Sequence, residues 1–321
     1  MLYLNEKDLL KIGIRWNETI DNLEKAVACL DKKDYAQPVK PYLRYREPVN
    51  RIIAMPAFVG GDINLAGIKW IASFPGNIDN GLPRAHSVVV LNQAETGVPV
   101  AVINTALLSV VRTASVSGMM IRHFLKARPL QKANVAIMGW GPIGRRHYDM
   151  VSEIMKGQIA KISLFDIRGV DPKTIAGPAK DQTVVVNSWQ EAYADADIFI
   201  TCTVSKAPYV DLKPKAGSLQ LNCSLRDYKT SILDFTKAII VDDWEEVCRE
   251  KTDIEMMHKE RGLQEKDTKN IADVVYHNAM AAWPKEMPIM FNPMGMAVFD
   301  IATGRYFIEK AKAMKVGQEL E

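Results

Sequence analysis

Two domains, one a doubly wound parallel α/β sheet and the other a smaller α+β unit, are what this sequence predicts, and three observations carry the expectation. Closely spaced β-type runs, "RIIAMPAF", "LAGIKWIAS", "HSVVVLN" and "PVAVIN", are separated by turn chemistry such as "GGD", "PGNIDNG" and "ETG". With no room for crossover helices, they read as an antiparallel meander. After about residue 130, apolar strands alternate with helical patterns, as in a parallel sheet covered on both faces. Between one such strand and its helix stands "VAIMGWGPIGRRH", a bare glycine-rich backbone running into positive charge. The predicted division is residues 1–108 with 300–321 as the smaller domain, and 109–299 as the parallel-sheet domain.

The elements follow in order. From Glu18 to about Tyr35, Ile20, Leu23, Val27 and Leu30 fall on one helical face with charges opposite. The meander comes next, and then a long helix from about Ala106 to Lys126. "NVAIMG" reads as a buried strand, Pro142 to Met155 as a helix, and "KISLFD" and "TVVVN" as strands. Ser188 with Glu191 makes a capping box opening another helix. "DIFITCT", "SLQLNCS" and "AIIVDD" are further strands. The stretch from Trp244 to about Asn270 reads as a solvated, charge-mixed helix or loop with no assigned chemistry. The last segment, "NPMGMAVFDIATGRYFIEKAKAM", begins with a turn and becomes a helix that packs back on the first domain.

Composition narrows the function class. The chain has 321 residues, 48% hydrophobic and 25% charged, with a formal net charge of +3. That is ordinary for a globular protein, and so small a charge, spread among a similar number of acids, argues against nucleic acid as a partner. The amino terminus carries charges inside its apolar residues, and no run of about 18 apolar residues occurs, so a membrane partner is not expected and the location expected is cytoplasmic. Cys29, Cys202, Cys223 and Cys248 form no C-x-x-C pair, which argues for reduced thiols and against a zinc site or a disulfide framework.

The glycine stretch meets the context that a dinucleotide fingerprint requires. Gly139, Gly141 and Gly144 lie between a strand and a helix, with Asp166 closing the next strand. The first glycine makes the turn, the second admits a pyrophosphate, and the third lets the helix pack close to the sheet. The opening amides of the helix, around Pro142 and Ile143, favour an anion. Asp166 suits a ribose diol and repels a 2′-phosphate, which favours NAD as the cofactor, while Arg168 either softens that preference or faces solvent. Arg145 and Arg146 either neutralise the pyrophosphate or are surface charge.

Hydride transfer leaves the substrate undefined. Arg44 in "KPYLRY", Lys69 in "AGIKW" and Arg112 in "SVVRTAS" each set a cation beside apolar residues, where an unpaired charge is costly. Internal pairs with Asp or Glu and an amino- or keto-acid substrate both answer that need.

"RIIAMP", "GIKW", "LNQAETGVPVA", "LLSVVRTAS", "GWGPIG", "ITCTVSKAPYV" and "NPMGMAVFD", in this order over nearly the whole chain, resemble the ornithine cyclodeaminase / mu-crystallin superfamily. "VKPYLR", "RIIAMP", "VDDWEEVCREK" and "NPMGMA" look most like its branch of N-(1-amino-1-carboxyl-2-ethyl)-glutamic acid dehydrogenases, which make 2,3-diaminopropionate for siderophores and some antibiotics. The resemblance implies that Arg44, Lys69 and Arg112 hold substrate carboxylate. It implies that Thr113, Thr203 and Ser205 line the nicotinamide end, unless they are ordinary caps. Gly295 and Asp300 match cofactor-side and substrate-side positions, although a turn glycine and a helix-starting acid explain them as well. The family loop usually carries an Asp in a G-x-D-x-P-G-K pattern. Here "NCSLRDYK" is matched with Ser224 at that place and Asp227 three residues on, which makes Asp227 the acid–base candidate, with Lys69 as the other, against a plain turn aspartate.

The function implied is NAD-dependent oxidative cleavage of a secondary-amine amino acid in a homodimer. A cyclodeaminase that returns the hydride, an alanine dehydrogenase or ketimine reductase, and a mu-crystallin-like binding protein without turnover stay open beside it.

Overall fold

The computed structural model describes residues 1–321. The chain divides into two compact units, Met1–Ser115 with Gly295–Glu321, and Val116–Met294. These junctions differ from the expected 108/109 and 299/300. Arg112 on one flank bonds Asp300 on the other, and both lie in the first unit.

The first unit begins with β1 (Leu2–Asn5) and α1 (Glu6–Ile12). Asn5 caps α1 by accepting from the Lys7 and Asp8 amides, and the Asp8 carboxylate accepts from the Asn5 amide. Helix α2 (Trp16–Asp31) buries Ile20, Leu23 and Val27 as their spacing predicts. It stops short of Tyr35 because Lys33 turns into left-handed backbone at φ +58 and Tyr35–Ala36 becomes strand β2. β3 (Tyr42–Leu43), β4 (Arg51–Val59), β5 (Leu65–Ser73), β6 (Ala85–Gln93) and β7 (Pro99–Asn104) follow. The pairs β4–β5, β5–β6 and β6–β7 are antiparallel, as the meander reading requires. Helix α3 (Leu107–Ala127) carries the chain across the first junction.

The second unit is built on β8 (Ala133–Met138), β9 (Ile159–Phe165), β10 (Thr183–Val185), β11 (Ile198–Thr201), β12 (Leu219–Asn222), β13 (Ala238–Val241), β14 (Thr268–Lys269) and β15 (Ile289–Asn292). Every pairing is parallel, in the order β10-β9-β8-β11-β12-β15-β13-β14. After β8 the chain winds to one side as β9 and β10 and returns to the other as β11. The crevice for a ligand therefore opens where β8 and β11 end.

Helix α4 (Pro142–Ile154) follows β8, and α5 (Trp189–Ala194) precedes β11. The capping box at α5 is half formed: Ser188 Oγ accepts from the Glu191 amide, but the Glu191 carboxylate reaches the amide of Asn187 instead. Trp244 to Asn270 is solvated mainly in its second half, where 258–270 are exposed apart from Leu263 and Thr268, whereas its first half is partly buried. It forms α6 (Trp244–Val247), α7 (Asp253–Arg261) and edge strand β14, and buries Val247, Asp253, Ile254 and Met257. Short helices α8 (Ile271–Val275) and α9 (Ala279–Ala282) complete the unit.

The chain returns to the first unit as α10 (Ala297–Met314) and β16 (Gln318–Glu319). The first-unit sheet runs β16-β1-β7-β6-β5-β4-β2, with β3 on β4. Helix α10 lies on β4, β5 and β6 and against α2, covering one sheet face. Gly67 and Gly304 permit that approach, since a Cβ on Gly304 would lie 2.8 Å from Leu91 and one on Gly67 2.9 Å from Ile301. No helix is long and apolar enough to cross a membrane.

Candidate active site

The glycine loop is shaped by what its neighbours allow. Gly139 leaves β8 at φ +94, and a Cβ there would lie 2.5 Å from the Cys202 carbonyl oxygen. A Cβ on Gly144 would lie 1.9 Å from the Gly139 carbonyl oxygen, so α4 packs against this turn only with glycine at that position. A Cβ on Gly141 would meet nothing within 4 Å, which is room for a ligand group to approach the backbone. Gly141 starts α4 without a side-chain cap, followed by Pro142, and the first-turn amides of Ile143 and Gly144 have no carbonyl a turn earlier to accept from them.

Asp166 sits directly beyond β9. Its Oδ2 accepts from the Trp140 amide at 2.8 Å and its Oδ1 from the Arg168 amide at 2.9 Å. The carboxylate is thus fixed against the loop, with lone pairs to spare for a diol. These residues fit NAD: an open glycine, uncapped amides and an oriented acid. Arg168 is exposed, its Nε 3.5 Å from Asp166. Arg145 lies over the Trp140 ring and donates to the Trp140 carbonyl, and Arg146 pairs with Asp149 at 2.6 Å.

In the first unit, a buried cluster joins strand β5 to helices α3 and α10. Lys69 Nζ lies 2.7 Å from Asp300 Oδ2 and 3.3 Å from Ser109 Oγ, while Arg112 Nε donates to Asp300 Oδ1 at 3.0 Å. Two cations thus share one carboxylate, and internal pairing satisfies part of their charge. Burial lowers Lys69 to about 7, with Arg112 adding to the shift and Asp300 opposing it. Burial works against ionisation of Asp300, but Arg112 and Lys69 outweigh it and hold the carboxyl below its ordinary range. Arg112 bonds Asp300 through Nε alone, which leaves its two Nη groups for another acceptor. Those groups lie against Gly295, at φ +89, where a Cβ would come within 2.9 Å. Lys40, which the sequence reading passed over, is buried and donates to the Gly295 carbonyl at 2.7 Å. Arg44 is not buried with them: it is exposed, donates to the Pro48 carbonyl at 3.0 Å and lies over the Tyr42 ring.

In the second unit, Asp227 is wholly buried, so the plain-turn alternative is set aside. Its Oδ1 accepts from Thr203 Oγ1 at 2.6 Å, its Oδ2 has no partner, and burial raises its carboxyl. The Asp227 and Tyr228 amides donate to Asp253, a buried acid pushed up to about 6 by burial. Ser224 Oγ accepts from the Thr203 amide at 2.7 Å. Leu225 adopts φ +60, backbone that favours glycine. Ser205 bonds locally to the Ala207 carbonyl and Thr113 to the Ser109 carbonyl within α3. His147 carries no signal in the sequence, and Cys223 is expected there only as a reduced thiol. The signal available was that Cys202 and Cys223 each follow the last residue of a sheet strand.

A parallel sheet with a glycine loop at its switch point, in one chain with an antiparallel sheet that holds a buried lysine–arginine–aspartate cluster, defines a two-domain protein of the Rossmann dinucleotide-fold class. More particularly, the chain belongs to the ornithine cyclodeaminase/mu-crystallin family, whose model matches residues 7–315. N-((2S)-2-amino-2-carboxyethyl)-L-glutamate dehydrogenase of Staphylococcus aureus is 31% identical, over 100% of this chain and 98% of that protein. Alanine dehydrogenase of Archaeoglobus fulgidus is 25% identical, over 96% and 94%. The structure of Thermococcus litoralis Δ1-pyrroline-2-carboxylate reductase in complex with NADH and L-proline matches with a TM-score of 0.87 at 25% identity, covering 100% of both chains.

Proposed function

We propose that the chain is an NAD-dependent oxidoreductase acting on the CH–NH group of an amino acid, and that its substrate is N-(1-amino-1-carboxyl-2-ethyl)-glutamate, cleaved to 2,3-diaminopropionate and 2-oxoglutarate. The single observation that carries the reading is the Arg112 fork, open at both Nη groups beside a lysine that titrates near neutrality. Support comes from the full-length likeness to the staphylococcal dehydrogenase and from the NADH-bound reductase of the same fold.

In this reading the glycine loop and Asp166 hold NAD, which supplies the hydride acceptor. The Arg112 Nη pair takes a substrate carboxylate in a bidentate grip. Asp300 keeps Arg112 and Lys69 in place, and exposed Arg44 serves a further carboxylate from its loop. Neutral Lys69 accepts the proton released as the amine becomes an iminium and water adds to it. Asp227, with its unpartnered Oδ2, is the second acid–base candidate. Thr113, Thr203, Ser205 and Gly295 are kept as cofactor-side residues. The net reaction consumes substrate, NAD⁺ and water and yields amine, 2-oxo acid, NADH and a proton. Free thiols at all four cysteines accord with a cytoplasmic location.

A homodimer is part of the proposal. Pro56, Ile68, Val90 and Val102 are consecutive cross-strand partners on one row of the first-unit sheet. All four are only half-buried, on the face opposite Met55, Val89 and Ile103. Such an apolar face suits a second copy.

Absorbance at 340 nm tests the reading. Stoichiometric NADH from N-(1-amino-1-carboxyl-2-ethyl)-glutamate supports it. Ammonia release without NADH makes the protein a cyclodeaminase, and NADH from alanine alone makes it an alanine dehydrogenase. Inertness toward all of them overturns the enzymatic reading.

A further inference from the structure

The proposed reaction leaves one cluster of nucleophilic groups unused. Thr201 in β11 and Asn222 in β12 are register partners in neighbouring parallel strands, and Cys202 and Cys223 are the residues that follow them. Their Cα atoms are therefore about one strand spacing apart, roughly 4.8 Å, inside the range a disulfide spans. Cys202 Sγ lies 3.6 Å from His147 Nδ1, and Cys223 Sγ lies 3.6 Å from His147 Nε2. Cys223 Sγ is also 3.3 Å from Ser117 Oγ. All of these residues belong to the second unit. Both cysteines are partly exposed as residues.

The histidine is oriented for the task. His147 Nδ1 is 2.9 Å from the Ile143 carbonyl, which only accepts, so the proton sits on Nδ1 and neutral Nε2 is a base facing Cys223 and Ser117. The two thiols differ in kind. The Cys202 thiol, donating to Cys223, holds Cys223 well below the usual thiol range against the opposing effect of burial, with His147 and Ser117 adding to the shift. Burial pushes Cys202 well above that range. An anionic attacking sulfur beside a neutral resolving thiol is the arrangement of a peroxide-sensitive pair.

We propose that Cys202 and Cys223 form a reversible dithiol/disulfide couple, oxidised by hydrogen peroxide, that alters dinucleotide affinity at the adjoining glycine loop. His147 Nε2 takes the Cys223 proton. The thiolate attacks one peroxide oxygen, the O–O bond breaks, Cys223 becomes a sulfenic acid, and the departing hydroxide takes the proton from His147 to leave as water. Cys202 sulfur then attacks the sulfenic sulfur, the S–O bond breaks, and the leaving hydroxyl takes the Cys202 proton as a second water. Two thiols have lost two electrons and two protons, and one peroxide has become two waters. A dithiol reductant reverses the step. The coupling to the loop is steric: the Cys202 carbonyl lies where a Cβ on Gly139 would be, and Cys202 Cβ is 3.7 Å from the Cβ position of Gly144. Any shift of Cys202 on bonding is passed to the loop backbone.

The coupling to dinucleotide rests on the NAD reading, whereas the disulfide does not. The experiment treats the full-length protein with stoichiometric hydrogen peroxide, maps the 202–223 crosslink by peptide mass spectrometry, and measures the NADH Kd by fluorescence before and after, with Cys223→Ser and Cys202→Ser as controls. The expected result is loss of two thiols, a crosslinked peptide pair two hydrogens lighter than the free pair, and a Kd change of threefold or more. Dithiothreitol should restore both, Cys202→Ser should form no crosslink, and the Kd of Cys223→Ser should not respond to peroxide. Absence of the crosslink overturns the couple, and a crosslink with unchanged Kd overturns its regulatory part. If reduced protein binds no NADH at all, the NAD reading fails while the crosslink map still decides the disulfide.

Discussion

At the scale of single residues, the Lys69–Arg112–Asp300 trio makes the sharpest demands. Lys69 is lowered from its ordinary range to about 7, so kcat/KM for substrate oxidation should rise with pH through about 7 as the lysine becomes neutral. Asp300→Asn removes the interaction that raises Lys69, so the acidic limb should move to lower pH. An unmoved limb would show that Lys69 is not the titrating base. The same substitution leaves buried cations short of their counter-ion and should cost about 3–5 kcal/mol of stability, read by urea titration.

Carboxylate binding should pull the other way. An anion beside Arg112 raises Lys69, so at pH 8 a dicarboxylate ligand should bind with proton uptake, measurable by calorimetry in buffers of different ionisation enthalpy. The linkage to folding has a definite sign. A lysine depressed in the fold contributes stability present above its unfolded value near 10.5 and lost as pH falls through about 7. Asp253, raised to about 6, contributes stability present below 3.8 and lost as pH rises through about 6. Lys69 and Arg112 were legible in the sequence because each interrupts an apolar pattern. Lys40 was not, since the group it bonds, the Gly295 carbonyl, belongs to the far end of the chain.

At the scale of elements, the junction of β8 and α4 is held by the absence of side chains. Gly144→Ala sets a methyl 1.9 Å from the backbone oxygen of Gly139, so α4 must move. Overpacking of this kind costs about 1–3 kcal/mol, and 1.4 kcal/mol is tenfold in an equilibrium. NADH affinity should fall by about tenfold or more, and unchanged affinity would place the dinucleotide elsewhere. The C-cap of α10 makes the opposite prediction. Lys315 is exposed at φ +54, a conformation that strains any residue with a Cβ. Lys315→Gly should stabilise the first unit by about 0.5–1 kcal/mol, seen as a melting temperature higher by roughly 1–3 °C. Pattern gave α3 and α4 to within about a residue of their limits, but placed the end of α2 four residues too late, at Tyr35 instead of Asp31. It failed at Trp244–Asn270, where two short helices and a two-residue edge strand are too brief to show a period, and where Asp253, an acid by sequence, is buried as the acceptor for the amides of Asp227 and Tyr228.

At the scale of the whole molecule, the sequence announced both sheets because each obeys a simple rule: antiparallel where turns are short, parallel where helices intervene. The pairing of Arg112 with Asp300 was beyond it, because it joins residues separated by 188 positions of chain. The uncovered sheet face follows from the same alternation. With α10 on one side, every second residue of β4 to β7 points away from the helix. The row Pro56, Ile68, Val90, Val102 and the neighbouring Ala54 and Val88 then present half-buried apolar groups, with Trp70 exposed beside them. In the proposed homodimer a second copy covers this face with an identical, self-complementary surface. Ile68→Glu with Val90→Glu places two like charges directly opposite each other on that row. Both positions are open enough for the monomer to keep its core, so sedimentation velocity should show the dimer replaced by monomer while circular dichroism is retained. A double variant that still sediments as a dimer would put the interface on another face.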